Sequence, residues 1–160
     1  MSLSNGSLLG ELNWNVVDDL DDTLYNYEDY HDGDKLNPEI LTLLDSPVNE
    51  DIILFDPQVD GRLIVIDSAK TVRDVVDHIH EYYVEVQNRI GPFDHRFLED
   101  LKETDLAQAI TKELQYYRNE APRDNIFAER NQRISKNLES IADSIDLTQP
   151  LYGYTIFLGS

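Results

Sequence analysis

RLIVIDSAKTVRDVVDHIHEYYVEVQNRI (Arg62–Ile90) is the stretch that decides the fold class. It opens on a β-branched run, Arg62–Asp67, and passes through a short turn into a helix starting at Thr71. Thr71 and Asp74 have the spacing of a capping box, with Asp in the place usually held by Glu. Val72, Val75, Val76, Ile79, Tyr83, Val86 and Ile90 then recur every three or four residues, the mark of one buried stripe. Asp74, Asp77, Glu81 and Glu85 fall off that stripe. Gly91–Pro92 stops the helix, because Gly suits the position after the last turn and Pro cannot continue it.

Upstream, DIILFDPQVDGRLIVID (Asp51–Asp67) reads as a hairpin. Asp60–Gly61 suits the positive-φ positions of a type I′ turn. Pro57 has no N–H for the ladder, so the first arm is expected at the sheet edge or broken there, and the second arm in the interior. Asn37–Pro38 caps a short helix that ends near Asp45, before Ser46–Pro47. LNWNVV (Leu12–Val17) predicts a short strand with Trp14 on the core face, and residues 1–11 read as a flexible lead-in.

Downstream, DHRFLEDL (Asp94–Leu101) reads as a short helix. Thr104 is the expected cap of a longer helix running to about Arg118. After a break at Ala121–Pro122, a sparser apolar pattern predicts a surface-lying or partner-facing helix over roughly Asp124–Ile145. In the tail, Tyr152, Tyr154, Ile156 and Leu158 alternate as a final strand joining the hairpin sheet. The expected fold class is α+β, one compact domain over residues 1–160, with a small, mostly antiparallel sheet packed by about four helices.

Charge is the dominant global property. The formal net charge is −19, and residues 1–60 hold 15 of the 32 acidic residues but only Lys35 of the 13 basic ones. Such a field repels phosphate backbones and argues against direct nucleic-acid binding. No window approaches the roughly 20 apolar residues of a membrane span, and the first residues lack a signal peptide's basic and apolar regions. A soluble, intracellular setting is expected. Cysteine is absent, which removes disulfides and thiolate metal sites.

Catalytic patterns are missing from the sequence: no G-x-S-x-G elbow, no Walker loop, no G-x-G-x-x-G and no H-E-x-x-H. Carboxylate neighbours such as Asp18/Asp19, Asp21/Asp22 and Glu50/Asp51 are too numerous to single out an acid/base pair. His78 and His80, two apart on a helix, point about 200° apart and cannot share a metal. His31 and His95 stand in separate loop-like regions.

The acidic run DDLDDTLYNYEDYHDGD (Asp18–Asp34) reads mostly as loop, because its charge would repel itself in a helix. Tested as a calcium loop starting at Glu28, it places Asp32, Gly33, Asp34 and Glu39 at positions 5, 6, 7 and 12. Tyr30 at position 3 and Lys35 at position 8 break the pattern, so Asp32, Asp34 and Glu39 are weak metal candidates and a solvated loop is expected, with no metal or other cofactor. The run suits a basic protein partner better. Asp18, Asp19, Asp21, Asp22, Glu28 and Asp29 supply charge, and Tyr25, Tyr27 and Tyr30 supply aromatic contact. The simpler alternative is that these tyrosines anchor the loop to the domain.

LDSPV (Leu44–Val48), IVID (Ile64–Asp67), TVRDVVDHIHEYY (Thr71–Tyr83) and DHRFLEDL (Asp94–Leu101) follow one another in an order that resembles an uncharacterised domain of fungal and large-DNA-virus proteins. Trp14–Val17 and the closing YTIFLGS (Tyr154–Ser160) are similar to that domain's ends. Glu99–Asp100 stands where the pattern has a glycine. The resemblance implies a small structural or interaction domain, with a virion as one setting, and brings no catalytic residues. The expected function is therefore non-enzymatic, an acidic N-terminal third meeting a basic partner. A divalent-metal hydrolase built from clustered carboxylates and an acidic DNA mimic are the alternatives.

Overall fold

The computed structural model describes residues 14–18, 42–121 and 127–159. They form an α+β fold. In chain order the elements are β1 (Ile52–Asp56), β2 (Arg62–Ile66), α1 (Val72–Ile90), β3 (Phe97–Asp105), α2 (Leu106–Asn119), α3 (Ala128–Ser144) and β4 (Tyr152–Gly159). The strands make one mixed, mostly antiparallel sheet in the order β2-β1-β4-β3. β1 and β4 run parallel, with Leu54 opposite Tyr154 and Phe55 opposite Thr155. A helical turn at 42–44 ends before Asp45, where the Ser46–Pro47 break was expected to stop it. The start of that helix, the 1–11 lead-in and the acidic run beyond Asp18 lie outside the described residues.

The described residues group into two compact units, one within Met1–Ile52, Ile66–Leu101 and Phe157–Ser160, the other within Ile53–Val65 and Lys102–Ile156. In the first, α1 is organised as the sequence requires. The Thr71 hydroxyl accepts from Asp74 N, and the Asp74 carboxylate accepts from Thr71 N, completing the capping box. Val72, Val75, Val76, Ile79, Tyr83 and Val86 are buried, while Ile90 is only half-buried. At roughly 1.5–3 kcal/mol per fully buried large apolar side chain, this stripe is the main stabilising face of the unit. Gly91 closes the helix at φ 90°, its N–H donating to Gln87 O. The predicted strand at Leu12–Val17 is reduced, in its described part, to an isolated bridge between Asn15 and Phe97, followed by a turn. Trp14 is nevertheless fully buried, and its carbonyl accepts from Leu98 N at 3.1 Å.

In the second unit, Phe55, Leu106, Ile110, Leu114, Ile134 and Leu138 form the core. α3 thus buries one face in that core and is not merely surface-lying. Its i, i+4 pair Ile134 and Leu138 suffices to seat it, despite the sparse pattern around them.

Several expectations are corrected. The hairpin arms exchange roles: β2 is the edge strand and β1 is interior. Pro57 lies one residue past the end of β1, so its missing N–H costs the ladder nothing, and Val65 of β2 is 63% exposed. The connection is not a two-residue type I′ turn but spans 57–61, with Gly61 at positive φ. DHRFLEDL is not a helix: β3 begins at Phe97, and its backbone is taken up in pairing within the sheet and with Trp14–Asn15. Tertiary pairing here overrides a local pattern that fits a helix. Thr104 consequently lies inside β3, and Asp105 is the α2 cap, its carboxylate accepting from Ala107 N at 3.1 Å. β4 forms as expected, burying Tyr154, Ile156 and Leu158 but leaving Tyr152 71% exposed.

Candidate interaction surface

On α1, the residues off the buried stripe align because 3.6 residues per turn brings every third or fourth side chain to one side. Asp77, Glu81 and Glu85 are exposed along that side. Glu81 and Glu85, with His80, Val84, Asn88 and Arg89, line a shallow groove of about 460 Å3. Arg89 Nε donates to Glu85 Oε1 at 3.1 Å, an exposed pair that offsets part of the charge at the helix end. Asp74, at the head of the same row, is committed to the cap. Its carboxyl is held below the usual range by hydrogen bonds from the Lys70 and Thr71 N–H groups.

Both histidines of α1 are half-buried. His80 donates from Nδ1 to the Val16 carbonyl at 3.0 Å, which fixes the Trp14–Asp18 segment beside the helix. Asp18 is exposed, and its carbonyl accepts from Trp14 Nε1 at 3.1 Å. The remaining predicted partner and metal candidates, Asp19, Asp21, Asp22, Tyr25, Tyr27, Glu28, Asp29, Tyr30, Asp32, Asp34 and Glu39, lie outside the described residues.

The second unit contains a polar cluster that sequence reasoning missed. Asp56 and Asp60 are both 0% exposed. The Asp56 carboxylate accepts from the backbone N–H groups of Gln58, Val59 and Asp60 at 3.0–3.1 Å, which shapes the β1–β2 connection. Asp60 pairs with Arg133 Nε at 3.1 Å and with Arg62 Nε at 2.9 Å. Arg133 also donates to Val59 O, and Asn137 donates to Asp60 O at 2.7 Å. The cluster therefore fastens the connection to α3. Its one sequence signal is the i, i+4 pair Arg133 and Asn137, whose partners lie more than 70 residues away. A further cleft of about 320 Å3 lies between the end of α2 and the start of α3, with Tyr117 on one side and Asn131 on the other. Burial first, and the nearby Glu113 second, push the Tyr117 phenol up to about 12, so it remains a hydrogen-bond donor at any physiological pH.

Among the described residues, no group of three or more His, Asp or Glu side chains is placed to hold a metal ion. No helix among them is long and apolar enough to cross a membrane. The chain matches no family model, no curated protein and no solved structure.

Proposed function

We propose that this chain is a non-enzymatic interaction domain that presents an acidic surface to a basic protein. The observation that carries the reading is the exposed row Asp77, Glu81 and Glu85, set opposite the fully buried stripe of the same helix. A rigid, well-capped helix presents these carboxylates at a fixed spacing, so a partner gains charge complementarity without first ordering the surface. Asp18 adds exposed charge in the same unit, and the acidic, tyrosine-bearing run that follows it extends the charge along the chain. The buried acids of the second unit, Asp56 and Asp60, are engaged by backbone N–H groups and arginines of the fold. The resemblance to a domain of fungal and viral proteins agrees with an interaction role, with a virion as one setting.

The test uses the partner captured from the native source at low salt and then purified. Asp77→Asn, Glu81→Gln and Glu85→Gln combined are expected to weaken its binding about ten-fold or more, mostly through a slower association rate. Unchanged affinity for this triple variant and for the quadruple Asn variant of Asp18, Asp19, Asp21 and Asp22 contradicts the reading.

A further inference from the structure

The two edges of the sheet differ in chemistry. β3 is covered at its start, where Leu98 N donates to Trp14 O and Val16 N donates to Arg96 O. Its following residues Glu99, Asp100, Lys102 and Glu103 place charge along the rest of that edge. Charged side chains on an edge strand discourage further pairing. β2, at the opposite edge, carries no charge within its apolar run Leu63–Ile66, and among the described residues β1 is its one strand neighbour. Leu63 packs against the core of the second unit. Val65, on the same strand face by the two-residue period, is 63% exposed and extends that apolar row into solvent. Charges stand only at the two ends: Arg62 is the first residue of β2 and Asp67 follows the last, and both are exposed.

We propose that β2 pairs edge to edge, in antiparallel orientation, with β2 of a second copy of this chain, making one continuous sheet across a two-fold dimer. The end charges select the orientation. Antiparallel pairing brings each Arg62 near Asp67 of the other copy, whereas parallel pairing sets like charges side by side. The strand faces select the register. A two-fold axis perpendicular to the sheet keeps each face on its own side, so a residue opposes only itself or residues an even number of positions away. Centring the pair on Ile64 sets Leu63 opposite Val65 of the other copy, twice, and covers the exposed valine with an apolar neighbour. Arg62 then stands one position from Asp67 of the other copy while its Nε stays on Asp60. Two molecules of net charge −19 repel each other, and one strand pair buries little surface. The dimer is therefore weak, with a Kd of about 100 μM. Salt strengthens it, the opposite of its effect on a complex with a basic protein. The dimer and the acidic face of α1 do not depend on each other.

The test is sedimentation equilibrium of the full chain at about 10–500 μM, a range that brackets that constant, in about 50 and 300 mM sodium chloride. A monomer–dimer equilibrium is expected, about three-fold or more tighter at the higher salt. Val65→Lys, a change at an exposed position, should abolish the dimer, while Tyr152→Lys at an exposed position of the interior strand β4 should leave it intact. The chain has no cysteine, so Ile64→Cys provides a single thiol. On mild oxidation it should link two copies faster than Val65→Cys, because Ile64 is the residue that faces its own counterpart. A chain that is monomeric throughout, or a dimer that survives Val65→Lys, overturns the proposal. Faster linking through Val65→Cys overturns the register. A monomer whose complex with the captured basic protein is lost in Val65→Lys overturns the second copy as occupant and gives the edge to a strand of that protein. Circular dichroism and the unfolding midpoint of each variant establish that its fold is intact.

Discussion

Asp60 is a fully buried charge in the second unit, held by side chains of β2 and α3. With no exposure of its own, it depends on Arg133, Arg62 and Asn137 to replace the water it lost. Asp60→Asn should cost about 3 kcal/mol in urea denaturation, since it leaves a partly buried guanidinium with a neutral partner. Arg133→Met should cost less, because Asp60 keeps Arg62 and Asn137; the reverse order would contradict this account. Gly153 is constrained sterically. A Cβ there would collide with the Ile53 carbonyl oxygen and the Leu106 Cδ1. Gly153→Ala is therefore expected to destabilise by about 1–3 kcal/mol, measured by the same denaturation. Tyr117 provides a spectroscopic check. Its folded-state pKa of about 12 lies above the ordinary value of 10.0, so its contribution to stability is complete below pH 10 and is lost as pH rises through 12. Ultraviolet titration of the native protein should show a late phenolate component that disappears in Tyr117→Phe.

The α1 cap works with the opposite sign. The Asp74 carboxyl is depressed below its model-compound value of 3.8, so its contribution is present above that pH and is lost as pH falls through the folded-state value. The stability gap between the native chain and Asp74→Asn should therefore shrink on acidification below about pH 4. A gap that does not change with pH would assign the capping effect to something other than the charge. α1 was legible throughout because its cap, stripe and stop signals lie together between Thr71 and Pro92 and agree with one another. The strands were less legible, for physical reasons. Whether β1 or β2 is interior depends on where β4 docks, nearly 100 residues later, and Pro57 gives no information once it falls in the connection. In β3, Leu98 and Leu101 are both buried at a spacing that fits a helix, so only the pairing partners distinguish the two readings. The Asp60–Arg133 cluster escaped notice because two common surface residue types meet only in three dimensions. The net negative charge, by contrast, is read directly from composition.

The net charge of −19 is destabilising through self-repulsion and, at the same time, a long-range attractor for cationic surfaces. Both effects are screened by salt over about 8–10 Å at physiological ionic strength. Moderate salt should thus raise the unfolding midpoint of the free protein while weakening its complex. Hydrophobic contact alone would not weaken as salt is added. The decisive measurement is the dissociation constant of the purified wild-type complex between about 50 and 300 mM sodium chloride. An acidic surface meeting a basic partner predicts a steady loss of affinity of at least about ten-fold across that range, with a shallower slope in the Asp77→Asn, Glu81→Gln, Glu85→Gln variant. An affinity that stays constant over the same range would contradict it.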